Sequence, residues 1–164
     1  MAGHDVMKKE KFSITGDDLL WKAHFEFQTS KNLNDCLSVL SEMNGTVLEF
    51  FRIQVTVDDS EQEDTALKFK FQSQSPRFKV HLFSTIQHTE IGKIVGVAGI
   101  DPEILFIIGF ATLILSGVAI AELSIASILL SGSIIAILTI GLIASGLRMR
   151  NILISELRAK FQLD

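Results

Sequence analysis

Polar and apolar residues alternate along much of the first half of the chain, and a period of two marks strands with one face in a core and the other in water. In "KAHFEFQ" Ala23, Phe25 and Phe27 share one face, while Lys22, His24, Glu26 and Gln28 take the other. The same period groups Phe51, Ile53, Val55 and Val57 of "FFRIQVTV", then Leu67, Phe69 and Phe71 of "LKFKFQ", and Val80, Leu82 and Ile86 of "FKVHLFSTI". With "KFSIT" (11–15) ahead of them, these runs predict an antiparallel sheet of about five strands with one wet face. Turn residues fall between the runs, in "TGDD" (15–18), "DDSEQED" (58–64) and "SQSPRF" (73–78).

One intervening segment has the helical period instead. In "SKNLNDCLSVLSEMNGT" Leu33, Cys36, Leu37, Leu40 and Met43 form one stripe, Asn32 is placed to cap with Asp35 in the first turn, and Gly45 supplies the stop. The expected unit is a small α+β domain over residues 11–90, its helix covering the apolar face of the sheet, with residues 1–10 as a flexible tail.

From Ile104 to Leu147 the pattern changes again: 44 residues hold a single ionisable side chain, Glu122, with 18 uncharged residues before it and 25 after. One helix of that length would run about 66 Å, roughly twice the ~30 Å hydrocarbon core of a bilayer. A carboxylate at mid-bilayer costs on the order of 3 kcal/mol, and at the headgroups it costs little. Glu122 and Ser124 therefore read as the turn of a two-helix transmembrane hairpin, 102–121 and 125–147, with Ser124 capping the second helix. Asp101, Pro102 and Glu103 suit the start of the first. The opposite reading, an intramembrane Glu122 that carries ions or protons, needs a polar partner at its own depth, and the flanking segments offer only Ser and Thr hydroxyls.

Small residues suggest a seam between the two helices, or a face for another membrane protein. Gly109, Thr112, Ser116 and Ala119 fall on one side of the first helix, and Ser127, Ser131, Gly141 and Ser145 near one side of the second. Lys93 precedes the hairpin, Arg148, Arg150, Arg158 and Lys160 follow it, and the turn carries no basic residue. These five cations are the expected lipid-headgroup contacts, and the positive-inside bias puts both chain ends on the cytoplasmic or equivalent side. Residues 91–101 read either as a last strand or as an interfacial juxtamembrane linker. The tail, 148–164, is a basic amphipathic helix with Leu153, Ile154, Leu157 and Phe161 on one side, suited to a lipid surface or to the soluble domain, lipid being the simpler assumption.

Charge and motifs narrow the function classes. Residues 1–90 carry ten Lys/Arg against fourteen Asp/Glu, which argues against nucleic-acid binding. The first thirty residues lack the continuous apolar run of a cleavable signal peptide. One cysteine, Cys36, permits no internal disulfide and sits on an apolar stripe, where a thiol acts as a small hydrophobe. No Gly-rich phosphate loop, GxSxG, HExxH or CxxC is present, so neither catalysis nor a cofactor is expected. His24 and His81 fall on polar strand phases, solvent-facing by default, with a shared metal conceivable only if their strands adjoin. The acidic run at 58–64 lacks the spacing of a calcium loop. Phe50 and Phe83 fall on the polar phase and form a candidate partner patch. These features point to a two-span, membrane-anchored, non-enzymatic interaction module or accessory subunit that binds a protein partner. The alternatives are a membrane-shaping protein acting through homo-oligomers of its hairpin, and a lipid or apolar-ligand binder at the membrane surface.

Overall fold

A computed structural model describes residues 8–9, 16–49, 51–57, 66–74, 79–87, 92–122 and 124–161. The expected strand at 11–15, the acidic turn at 58–64, residues 75–78 of the third turn and Phe50 lie outside the described residues. In chain order the elements are β1 (Lys8–Lys9), a 3-10 turn (Gly16–Asp18), β2 (Leu20–Thr29), α1 (Leu33–Met43), β3 (Val47–Leu48), β4 (Phe51–Val57), β5 (Ala66–Gln74), β6 (Val80–Gln87), β7 (Gly92–Ile100), α2 (Glu103–Glu122) and α3 (Ile125–Phe161). The protein is a mixed α+β fold with one long apolar C-terminal helix.

Six strands pair antiparallel. The sheet runs β4-β5-β6-β7-β2, β3 pairs with the outer edge of β4, and β1 joins that edge in parallel. The alternation read from the sequence sets the core face: Phe25, Phe27, Ile53, Val55, Phe69, Phe71, Leu82 and Ile86 are all buried. Over this face lie α1, against β4, and the C-terminal part of α3, against β6, β7 and β2. Helix α1 begins where its cap predicts, the Asn32 side chain accepting from the Asp35 amide at 2.8 Å, and Gly45 leaves it with φ 81°. Cys36, Leu40 and Met43 bury its stripe.

Residues 92–100 are an internal strand, hydrogen-bonded to β6 on one side and β2 on the other. The sheet therefore extends past residue 90, and no separate linker precedes α2. Glycine usually weakens a strand, but here it makes room. A Cβ on Gly96 would meet the Phe25 ring at 2.4 Å, and one on Gly99 would meet Leu19 at 2.8 Å.

Of the two surfaces open to the C-terminal tail, lipid or soluble domain, it takes the domain. Residues 148–161 continue α3 without a break, and Gly146, Met149, Leu153, Leu157 and Phe161 are buried in the domain core rather than turned to lipid. Helix α3 is thus one rod of 37 residues, about 55 Å long, with two different surroundings.

Candidate functional site

The surface that asks for a partner is the outside of α2 and the first part of α3. Sixteen large apolar side chains there are exposed among the described residues, including Phe106 at 81%, Leu113 at 71% and Ile137 at 70%. One helix, Ile125–Phe161, is long and apolar enough to cross a membrane by length and composition, and none of its most apolar stretch is buried. Left in water, these side chains would forfeit on the order of 20 kcal/mol of burial energy. An exposed apolar patch of this extent is the mark of a surface that meets a membrane or a partner.

Helices α2 and α3 pack on one another. Glu122 is the last residue of α2, and the Ser124 carbonyl accepts from the Ile128 amide at 3.1 Å to open α3. Half-buried positions run along both helices, Ala111, Thr112, Leu115 and Ser116 on α2 and Ser127, Ser131, Ile135 and Thr139 on α3, while Ile108 and Leu142 pack against the domain core. Of the expected packing or partner residues, Thr112, Ser116, Ser127 and Ser131 are half-buried. Gly109, Gly141 and Ser145 are exposed, and a Cβ on either glycine would meet nothing within 4 Å. The Thr112 hydroxyl donates to its own helix, at the Ile108 carbonyl, 2.8 Å away.

Where the apolar surface stops, polar contacts begin. Arg148 Nη2 donates to Glu49 Oε2 at 2.9 Å, Arg150 Nη1 donates to the Trp21 carbonyl at 2.7 Å, and Lys79 faces Glu103 at 3.6 Å. Trp21 and Glu49 have φ of 46° and 48°, a left-handed conformation that costs a bulky residue energy and needs neighbours to hold it. Periodicity could not flag either residue, because Trp21 sits at a register shift between Leu20 and Ala23. Of the other expected headgroup cations, Arg158 is exposed and Lys160 faces Glu42 of α1 at 3.6 Å. Lys93 is displaced from its expected role: it pairs with Glu26 at 3.0 Å near the start of β7, about 23 Å along the strand from the α2 end.

His81 is corrected from solvent-facing to buried. Leu19 packs beside its neighbour Gly99, and the His81 Nε2–H donates to Asp101 Oδ2 at 2.7 Å. Asp101 Oδ1 accepts from the Glu103 amide at 2.9 Å, so one carboxylate caps α2 and anchors β6. His24 is exposed on β2, separated from β6 by β7. Burial first, and then the charge of Lys70, holds the His81 pKa below its ordinary 6.5 and outweighs Asp101. The unfolded chain then takes up a proton that the folded one refuses, so stability should fall as pH drops through about 6.5, by up to ~1.4 kcal/mol per unit. Urea midpoints measured from pH 7.5 to 5, as about the range of histidine titration, should decline for the native chain and flatten in His81→Gln; equal slopes would remove this pair from the account.

Phe83 lies on the open face of the sheet, with the Lys70 ammonium 5.3 Å from its ring centroid. It lines a shallow groove of about 310 Å³ with His24, Lys68, Thr85, Val95 and Val97. On the opposite face, Phe51, Phe69, Phe71 and Leu82 fill the space between sheet and helices. The Cys36 thiol is buried, and burial pushes its pKa up to about 11, which suits packing and not nucleophilic attack. Comparison with family models, with curated proteins and with solved structures yields no match for this chain.

Proposed function

We propose that this protein is a membrane-anchored, non-enzymatic interaction module. Helix α2 and the apolar part of α3 cross the bilayer as a hairpin, and the α+β domain sits on the cytoplasmic or equivalent side with both chain ends. The observation that carries the reading is the continuous exposed apolar surface of α2 and α3, bounded at one end by Lys79, Glu103, Arg148 and Arg150. At about 30 Å for α2, the length fits one hydrocarbon core. Basic residues at the domain end favour keeping that end inside. Because α3 is both span and core helix, the domain is held rigidly to the membrane and not on a flexible tether. Its open face, with Phe83, Val95 and Val97 partly exposed, is the surface offered to a protein partner.

One observation favours a second reading, assembly through the hairpin. Gly132 and Ala136, and Gly141 and Ser145, form two exposed small-xxx-small pairs on α3, a pattern that lets helices approach closely in lipid. A photoreactive residue placed at Val95 or at Ala136 in native membranes separates the two. The interaction module should give one foreign adduct from Val95 and lipid adducts from Ala136; a ladder of self-adducts from Ala136, with none from Val95, would establish assembly instead.

A further inference from the structure

We infer that the soluble domain itself is seated in the membrane interface, through a collar built on one end of its sheet. This rests on the membrane reading above and adds to it the domain surface that meets the lipid headgroups. The strand register defines the collar. Arg52 stands opposite Gln74, Val80 opposite Ile100, and Ile100 opposite Leu20, so the β3–β4 turn, Lys79, the start of α2 and Trp21 all occupy the same end of the sheet. This is the end from which α2 leaves, and Arg148 and Arg150 of α3 bind to it.

Three independent features mark this end as built for lipid. First, it carries two exposed apolar side chains, Trp21 at 39% and Val47 at 61%, at the end of the sheet from which the apolar helix α2 leaves. A tryptophan beside arginines at the edge of an apolar belt is the usual make-up of a membrane–water interface. Second, the two non-glycine residues of positive φ among the described residues are both here, Trp21 and Glu49, and each is gripped by an arginine of α3. Arg148 and Arg150 are two positions apart and so point to opposite sides of the helix, which braces the collar across its width. Third, three of its cations, Lys22, Lys79 and Arg148, are paired with Asp17, Glu103 and Glu49, and Arg150 is held by the Trp21 carbonyl. The contact is therefore insertion of apolar side chains with hydrogen bonding to phosphate and ester groups, and it does not depend on anionic lipid.

Trp21 is the protein's one tryptophan, so its fluorescence reports the collar without any substitution. The full-length chain is reconstituted in vesicles of zwitterionic phospholipid, brominated either near the ester end of the acyl chain or near its methyl end. Integration is scored in parallel by resistance to alkaline carbonate. The expected result is quenching several-fold stronger by the shallow bromines than by the deep ones, little quenching by aqueous iodide, and no change when anionic lipid is added. Integrated protein whose Trp21 answers to iodide and not to bromolipid overturns the collar and leaves the anchor standing. Protein that carbonate removes overturns both. A second reporter, Val47→Trp in a Trp21→Phe background, should also show shallow quenching, whereas Val95→Trp in the same background should answer only to iodide.

Discussion

Truncation after Leu147 is expected to unfold the β-sheet domain. Residues beyond that point contribute Met149, Leu153, Leu157 and Phe161, all buried to within 1% exposure, to the layer that covers β6, β7 and β2. Uncovering four such side chains, and the sheet beneath them, removes about 6–12 kcal/mol of burial energy. That is comparable with the whole stability of a domain, ~5–15 kcal/mol. The single change Leu157→Ala should cost about 2–5 kcal/mol through the cavity it leaves. Both effects are read in mild detergent by protection of the sheet amides from hydrogen exchange. A surface-bound lipid helix in the same position would behave differently, its loss weakening membrane attachment while the sheet stayed protected.

Ile137→Asp should act on the opposite half of the same helix. Ile137 is exposed on the apolar part of α3, near its middle, so the substitution leaves the core intact. A carboxylate at the centre of a span costs about 3 kcal/mol on insertion scales, roughly a hundredfold in the insertion equilibrium. The fraction of protein that resists alkaline carbonate should drop accordingly, with Ile137→Leu unchanged. If instead the exposed surface were an ordinary solvated one, the aspartate would leave membrane association as it was.

Much of the fold was legible because one face of each element meets water. Strands β2, β4, β5 and β6 alternate visibly, and α1 carries its own cap, stripe and stop. The start of α2 was legible for the same reason, since Asp101 caps through the Glu103 amide. Strand β7 was ambiguous because it is internal and partly covered on both faces, so its sequence lacks alternation, and its glycines answer to Phe25 and Leu19 far away in the chain. The tail was left between lipid and the soluble domain because an apolar stripe of Leu153, Leu157 and Phe161 specifies that something covers it and not what. Small residues occur on more than one side of α2 and α3, so their spacing alone does not say which side meets the other helix and which is left for a partner. His81 was out of reach, because its partner Asp101 lies twenty residues on in the chain.

The most direct test of two crossings is the sidedness of single cysteines. In a Cys36→Ser background, Ser30→Cys on the domain, Ser124→Cys between α2 and α3, and Ser155→Cys on the C-terminal part of α3 are each exposed to a membrane-impermeant maleimide in sealed vesicles of known orientation. Ser30→Cys and Ser155→Cys should label from one side together, and Ser124→Cys only from the other. Labelling of all three from the same side would contradict the account.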